Sequence, residues 1–494
     1  MEDSLKKRYI IKLFSNIVNG LINIILVAIV PKALGPIAFG QFSYIQQFFS
    51  QILAFLDAGT STAFFTKLSA KNQRKELINF YFFFSLFLLF LLFLFIYLLD
   101  ILDYLYFFLP EIANEYIYLG LWFGFLTWMM QIFVKISDAY ALTVSVELIK
   151  IVHKLFTLFI LILLIYYFTF DLSIYFYFHL FSLFSFLFIL SILFSKKNIF
   201  QKNIITYKNS YKNLIKEFYT YSSPLFIFNI IAISIGLFDI WLLQKISGSV
   251  QTGFYGLAYS IAAMCFLFTS AMTPIITREF SKSYENKDID QIQKLFKRYI
   301  PMLYSIAAYF GVFIAFQADN LLMIFTDEKF KDALFVLVIM AFYPIHQTYG
   351  QLSGSLFFAL EETKLYRNIG IFSSFLGLGL TLLFVYYLEL GAIGFAWKMV
   401  ISQIISVNIQ LYFNVKFLNL KMFPLVWHQV YAIIILSLLA YLSARFISFD
   451  KVIWEFLLSG LIYSIGVGIT IFLYPQIVAV SKSELIQIFT KKKS

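Results

Sequence analysis

A few charged and amide side chains set in long apolar runs are the residues able to do chemistry in this chain. Glu147, Lys150, His153 and Lys154 fall within one such run, with Lys150 and Lys154 at i and i+4 on one helical face. Glu147 lies one turn from Lys150 and can pair with it locally, while Lys154 lies a turn deeper. Lys398 stands beside Trp397 in a second run, and Arg278 closes a third. Cations in apolar surroundings suit an anionic, phosphate-bearing ligand, held by charge-assisted hydrogen bonds; local ion pairing is the alternative. Asp57 and Asp239 are acids inside apolar runs, placed to bind a coupling proton or sodium ion. The competing readings are a salt bridge to an interior cation for Asp57 and an interface position for Asp239. Asn16, Asn19 and Asn23 recur at i, i+3 and i+7, one face of a helix that either lines a polar cavity or hydrogen-bonds a neighbouring helix. Lys12 shares that face.

Enzymatic chemistry finds little footing. Gly248 and Gly253 have the spacing of a phosphate-binding loop, but Phe254-Tyr255 replaces its Lys and Ser/Thr. His153, His179, His346 and His428 are scattered without metal-ligand spacing, so neither a metal nor a cofactor is expected. Asp288-Ile289-Asp290 has a metal-holding D-x-D form but sits in a mixed-charge segment and reads as a solvated face.

The elements that position these residues follow from composition. The 494 residues are 61% hydrophobic and only 13% charged, against about 25% charged in soluble domains. Mean hydropathy is +0.83. The apolar runs are long enough to cross a bilayer core about 30 Å thick as helices, and the short alternating segments of an outer-membrane barrel are absent. The chain reads as an all-α integral membrane protein with about fourteen spans: 9–31, 41–63, 78–99, 117–137, 145–168, 172–195, 218–243, 254–277, 299–316, 334–358, 366–388, 392–415, 425–447 and 452–475. Cys265 is the only cysteine, so no intrachain disulfide is possible. The basic N-terminus leads into a run longer than a signal-peptide core and reads as a retained first helix.

Charge sets the orientation. The net charge of +11 comes from basic clusters at Lys6–Arg8, Lys67–Lys75, Lys196–Lys216, Arg278–Arg298 and Lys491–Lys493. The alternate loops carry acids instead: Asp100, Asp103, Glu111 and Glu115, then Asp319, Asp327, Glu328 and Asp332. Cytoplasmic loops are enriched in Lys and Arg, so both termini are expected in the cytoplasm. The positive charge is explained without nucleic acid as a partner.

One stretch occurs twice. Gly40-Gln41-Phe42-Ser43-Tyr44 opens the first copy and Thr62 to Lys67 closes it; Gly253-Phe254-Tyr255-Gly256-Leu257 opens the second and Thr273 to Arg278 closes it. A repeat of this length in a membrane protein suggests two related bundles around a central site. The expected division is residues 1–217 (spans one to six), 218–415 (spans seven to twelve) and 416–494 (spans thirteen and fourteen with a basic tail).

These motifs resemble a known family. Leu34-Gly35-Pro36 with Gly40 to Ser43 looks like the outer-loop signature of polysaccharide flippases of the Wzx type, and Asp57 to Thr62 is similar to their second span. Gly253-Phe254-Tyr255 with Ala258-Tyr259 resembles the start of their eighth. Ala359 to Lys364 and Gly391 to Ala396 match later motifs, with Glu361-Glu362 where the family more often has Gly. The resemblance covers the whole chain. It implies the multidrug/oligosaccharidyl-lipid/polysaccharide exporter fold: two pseudo-symmetric six-helix bundles plus two extra helices, working by alternating access in the bacterial cytoplasmic membrane. The implied cargo is an undecaprenyl-diphosphate-linked oligosaccharide for O-antigen (lipopolysaccharide), capsule or exopolysaccharide. The implied partners are membrane lipid, a polysaccharide polymerase and a chain-length regulator. A lipid II flippase and a multidrug-extrusion transporter share the fold and remain alternatives. A membrane-embedded glycan polymerase or glycosyltransferase, from a different class, generally needs a large outer loop, and none is present here.

Overall fold

A computed structural model describes residues 5–57, 60–61, 64–65, 68, 75–200, 208–269, 272–447 and 449–480. Most of the closing Thr62–Lys67 segment, the Lys491–Lys493 tail, and the side chains of Lys12 and of the Lys208–Lys216 stretch lie outside the described residues.

Among the described residues every regular element is helical. The main helices are α1 (Leu5–Asp57), α2 (Lys75–Ile101), α3 (Asn114–Ala139), α4 (Thr143–Tyr167), α5 (Leu172–Lys196), α6 (Lys208–Ala262), α7 (Thr273–Glu285), α8 (Ile289–Phe316), α9 (Leu334–Met340), α10 (Tyr343–Ala359), α11 (Thr363–Thr381), α12 (Gly391–Phe417), α13 (Phe423–Arg445) and α14 (Val452–Leu473). Among the described residues, 12 helical stretches are long and apolar enough to cross a membrane. Two of them, on α1 and α6, run 44 and 38 residues, far beyond the ~20 a bilayer requires. Each is broken once, α1 at Gly35 (φ 75°, ψ 171°) and α6 at Gly248 (φ 79°, ψ 177°). That conformation is essentially open only to glycine. Counting each broken helix as two spans gives the expected fourteen, and the chain is a multi-pass membrane protein.

The chain forms two compact units: residues 1–26 with 36–253, and residues 27–35 with 254–494. In the first, α1 just after its glycine break packs closely on residues 249–253 of α6. A Cβ added at Gly40 would lie 1.8 Å from the Ser249 carbonyl oxygen, and one at Gly253 would lie 2.4 Å from that of Pro36. Gly120 and Gly124 of α3 pack in the same manner on Ile45 and Phe49 of α1. Lipid tails are as apolar as leucine, so such close packing, not burial from water, holds membrane helices together. Phe42 adds an aromatic knot with Phe123, Tyr175, Phe176 and His179, ring centroids 4.6 to 5.5 Å away.

The segment after α2 ties this crossing down. Its Phe107, Phe108, Pro110 and Glu111 carbonyls accept from Trp241, Tyr44, Gln244 and Gln41 in turn. The Glu111 carboxylate accepts from the Ser249 N–H at 2.8 Å, satisfying a donor that the break at Gly248 leaves without a helical partner.

In the second unit α8 is central. Phe296, Tyr304 and Val312 of α8, Tyr349 of α10, Val407 of α12, Leu436 of α13 and Tyr463 of α14 share one core. Asn414 of α12 donates to the Ser353 carbonyl and hydroxyl of α10, at 2.9 and 2.7 Å. The two added helices are packed into this unit: Tyr463 donates to the Tyr309 carbonyl at 3.1 Å, and His428 bonds the Ile477 carbonyl at 2.9 Å. After α10 the chain reverses through Glu361, whose φ of 61° lies in the left-handed region. Glycine is the usual residue there, which gives a physical reason for the glycine that the resembled family more often carries near this point.

Candidate functional site

Two polar sites lie among the membrane-spanning helices of the first unit. The first joins α1 to α4. Ser15 donates to the Glu147 carboxylate at 2.5 Å, Asn19 donates to Ser15 at 3.2 Å, and Lys150 pairs with Glu147 at 3.6 Å. Asn19 and Glu147 are buried and Lys150 is half-buried; Asn16 and Asn23 are exposed. The asparagine face is therefore split, with Asn19 bonding inside the unit and its two neighbours open. Lys154 is half-buried one turn beyond Lys150 and has no ion-pair partner among the described residues. Glu147 is already engaged by Ser15 and Lys150. His153 is turned instead toward α5, bonding Ser185 at 2.9 Å.

The second site is a groove between α1 and α3, built around Asp57 (8% exposed). One carboxylate oxygen accepts from the Thr60 hydroxyl at 2.9 Å, the Ser61 N–H at 3.0 Å and the Tyr81 hydroxyl at 2.9 Å; the other accepts from the Ser61 hydroxyl at 2.8 Å. Lys135 of α3 donates to the Ser61 oxygen at 2.8 Å. A buried aspartate is tolerable here because it is fully hydrogen-bonded with a cation one atom away. Above this floor is a cavity of about 180 Å³, lined on one wall by Gln46, Ser50 and Asp57 and on the other by Thr127, Trp128 and Gln131. The glycine packing of Gly120 and Gly124 sets the two walls at this separation.

Asp239 is also in this unit and is buried, 4% exposed. In the second unit Lys398 is buried at 8% exposed, with its ammonium 5.0 Å from the Phe395 ring centroid; a cation over an aromatic face is attracted by the ring's quadrupole. A Cβ at Gly377 of α11 would meet its Cε at 3.2 Å. Arg278 is exposed on α7. Among the described residues no three His, Cys, Asp or Glu side chains are grouped to hold a metal ion.

Ser15, Tyr81, Lys135, Thr127 and Gln131 are absent from the sequence-derived set. Thr127, Gln131 and Lys135 do recur at i, i+4 and i+8 in an otherwise apolar run, so that stripe was visible. Ser15 and Tyr81 carry no such mark; only the fold brings them to Glu147 and Asp57.

Comparison with known proteins fits this architecture. Residues 5–278 match the polysaccharide biosynthesis protein family. The probable low-salt glycan biosynthesis flippase Agl15 of Haloferax volcanii is 25% identical over 220 residues, covering 43% of this chain and 45% of that protein. The chain thus spans about half the length of that relative. Among solved structures, the lipid II flippase MurJ in an inward closed conformation superposes with a TM-score of 0.68 at 15% identity, covering 94% of this chain and 98% of that one. An inward-facing multidrug resistance MATE family transporter of the MOP superfamily gives 0.58 at 16% identity, covering 82% and 95%. These two likenesses establish the all-α membrane transporter fold. With its match extending from residue 5 to residue 278, more than half its length, the chain belongs to the polysaccharide biosynthesis protein family.

Proposed function

We propose that this protein is a flippase, a transporter and not an enzyme, that carries lipid-linked oligosaccharide across the membrane by alternating access. The family match, the glycan flippase relative and the transporter fold support the class. The observation that carries the cargo reading is Lys154: a cation at membrane depth whose nearest acid is engaged elsewhere. An unpaired charge there costs about 3 kcal/mol or more, and a diphosphate headgroup supplies the missing partner when cargo is bound. Lys150, Arg278 and Lys398 are further candidates for that anion, and Asn16, Asn19 and Asn23 for the sugars. The finer reading is an undecaprenyl-diphosphate-linked repeat unit for O-antigen, capsule or exopolysaccharide, carried across the bacterial inner membrane with both termini cytoplasmic. A polymerase would take the product, with a chain-length regulator as a further partner. Coupling to an ion is assigned to Asp57 or Asp239. We retain the division at residues 217 and 415 as the proposed functional one.

The test is reconstitution. Proteoliposomes loaded with a fluorescent undecaprenyl-diphosphate-linked oligosaccharide are treated with a membrane-impermeant glycosidase. Cargo on the inner leaflet should become susceptible only when the protein is present. Equal susceptibility in protein-free vesicles would overturn the proposal. Movement of lipid II or of a cationic drug, with no movement of the oligosaccharide lipid, would move the protein to one of the other two branches of this fold.

A further inference from the structure

We infer that the groove between α1 and α3 is a binding subsite for a single neutral sugar residue, separate from the lysines assigned to the diphosphate. The inference rests on the flippase reading and deepens it.

The first observation is polarity in the wrong place for lipid. Gln46 and Ser50 on α1 and Gln131 on α3 are exposed, although both helices span the membrane. Polar side chains at this depth face a cavity or a partner, not hydrocarbon. They are aligned on facing walls, held by the Gly120 and Gly124 contacts, so the polar stripe is a built surface.

The second is charge. The groove floor carries Asp57 and, behind Ser61, Lys135. Among the described residues these balance each other. A diphosphate would meet a carboxylate whose described cation is already turned to Ser61, a poor anion site beside the donor-only arginine or lysine clusters such groups select. A cationic drug would meet Lys135.

The third is the donor and acceptor inventory. Gln46 and Gln131 each offer an amide donor pair and an acceptor, and Ser50 and Thr127 offer hydroxyls that both give and take. The Thr127 hydroxyl is buried in the wall without a hydrogen-bond partner among the described residues, and such a group is costly unless something completes it. A sugar ring is a flat array of hydroxyls, each both donor and acceptor, with apolar C–H faces. Phe123 and Trp128 supply the apolar part of the lining.

The fourth is size. About 180 Å³ is far more than one water needs and less than the ~300–1,000 Å³ that enclose a drug-sized ligand. One ring fits; a whole repeat unit does not.

The experiment uses the full-length protein in nanodiscs, with Cys265→Ala removing the native thiol and Ser50→Cys placing one in the groove. The rate of modification by a water-soluble maleimide is measured with glucose, galactose, N-acetylglucosamine or rhamnose present, and separately with inorganic pyrophosphate. We expect at least one neutral sugar to slow labelling by about tenfold at roughly ten times its dissociation constant, and pyrophosphate to leave the rate unchanged. Gln131→Leu and the near-isosteric Thr127→Val should each remove the protection while the sugar-free rate persists, which also shows that the variant is folded. The inference is overturned if Ser50→Cys does not label in folded protein, if no sugar protects, or if pyrophosphate protects as well as any sugar. None of these results touches the flippase reading, which fails separately if the reconstituted protein moves no oligosaccharide lipid.

Discussion

Gly40 and Gly253 stand against each other at the crossing of α1 and α6: a Cβ on Gly253 would lie 3.2 Å from the Gly40 nitrogen and 2.4 Å from the Pro36 carbonyl oxygen. Each follows its helix's glycine break by five residues, Gly35 in one copy and Gly248 in the other. The breaks share one backbone conformation to within a few degrees. The two stretches that the sequence repeats thus share a glycine break and, five residues on, a closely packed glycine.

Gly40→Ala and Gly253→Ala should each be destabilising, because the added methyl meets backbone and no side-chain rotation relieves it. Overpacking of this kind costs about 1–3 kcal/mol. Gly379→Ala is the control, since nothing lies within 4 Å of its added Cβ; within a helix it should gain up to about 1 kcal/mol. Thermal unfolding in detergent, followed by size-exclusion recovery, checks the ordering. Equal effects at all three positions would show that the crossing is not tight.

Asp57 and Lys135 should behave as a coupled pair although Ser61 stands between them. Asp57→Asn removes a charged acceptor and leaves Lys135 unbalanced, at a cost of about 1.5–3 kcal/mol. Lys135→Met should cost a comparable amount by leaving Asp57 without its cation. Both changes together should cost less than the sum of the two, because neither charge remains. A double-mutant cycle on thermal stability reads the coupling. Strict additivity would mean that Lys135 does not act on Asp57.

Much of this was legible in the sequence and some could not be. The fourteen spans followed from apolar run length, and the glycine breaks fall five residues before the Gly40 and Gly253 that open the repeated stretch. Asp57 stood out because an acid in an apolar run is rare. What lay hidden was who meets whom. Ser15 and Glu147 are 132 positions apart, and a serine in a helix signals nothing by itself. Lys135 sits near the C-terminal end of its helix, where a lysine ordinarily reaches for the interface, so its turn toward Ser61 appears only in three dimensions. The fusion of spans one and two into a single broken helix was also hidden, because Gly35-Pro36 looked like an ordinary loop.

The topology prediction uses two exposed positions. In a Cys265→Ser background, Lys287→Cys should be reached by an impermeant thiol reagent only after cells are opened, and Glu328→Cys should be reached in intact cells. Both side chains are exposed, so failure to label cannot be blamed on burial. The reverse pattern would invert the orientation argued from basic loops.

Lys154 carries the last prediction. Its side chain is half-buried, Lys150 lies a turn away, and Glu147 is committed to Ser15 and Lys150. A cation so placed is relieved by removal and satisfied by an anion. Lys154→Ala should therefore leave membrane abundance and thermal stability unchanged or slightly raised, while transfer of the oligosaccharide lipid falls by at least about tenfold, the equivalent of roughly 1.4 kcal/mol of lost binding. Lys154→Arg should keep part of the activity, since the charge survives and only its geometry changes. Lys150→Ala behaves differently: it strips Glu147 of its cation, so stability should fall along with transfer. Flipping assays and unfolding curves on the three variants separate the roles. If Lys154→Ala transports normally, or if it unfolds as readily as Lys150→Ala, then Lys154 serves the packing of α4 and the headgroup is held elsewhere.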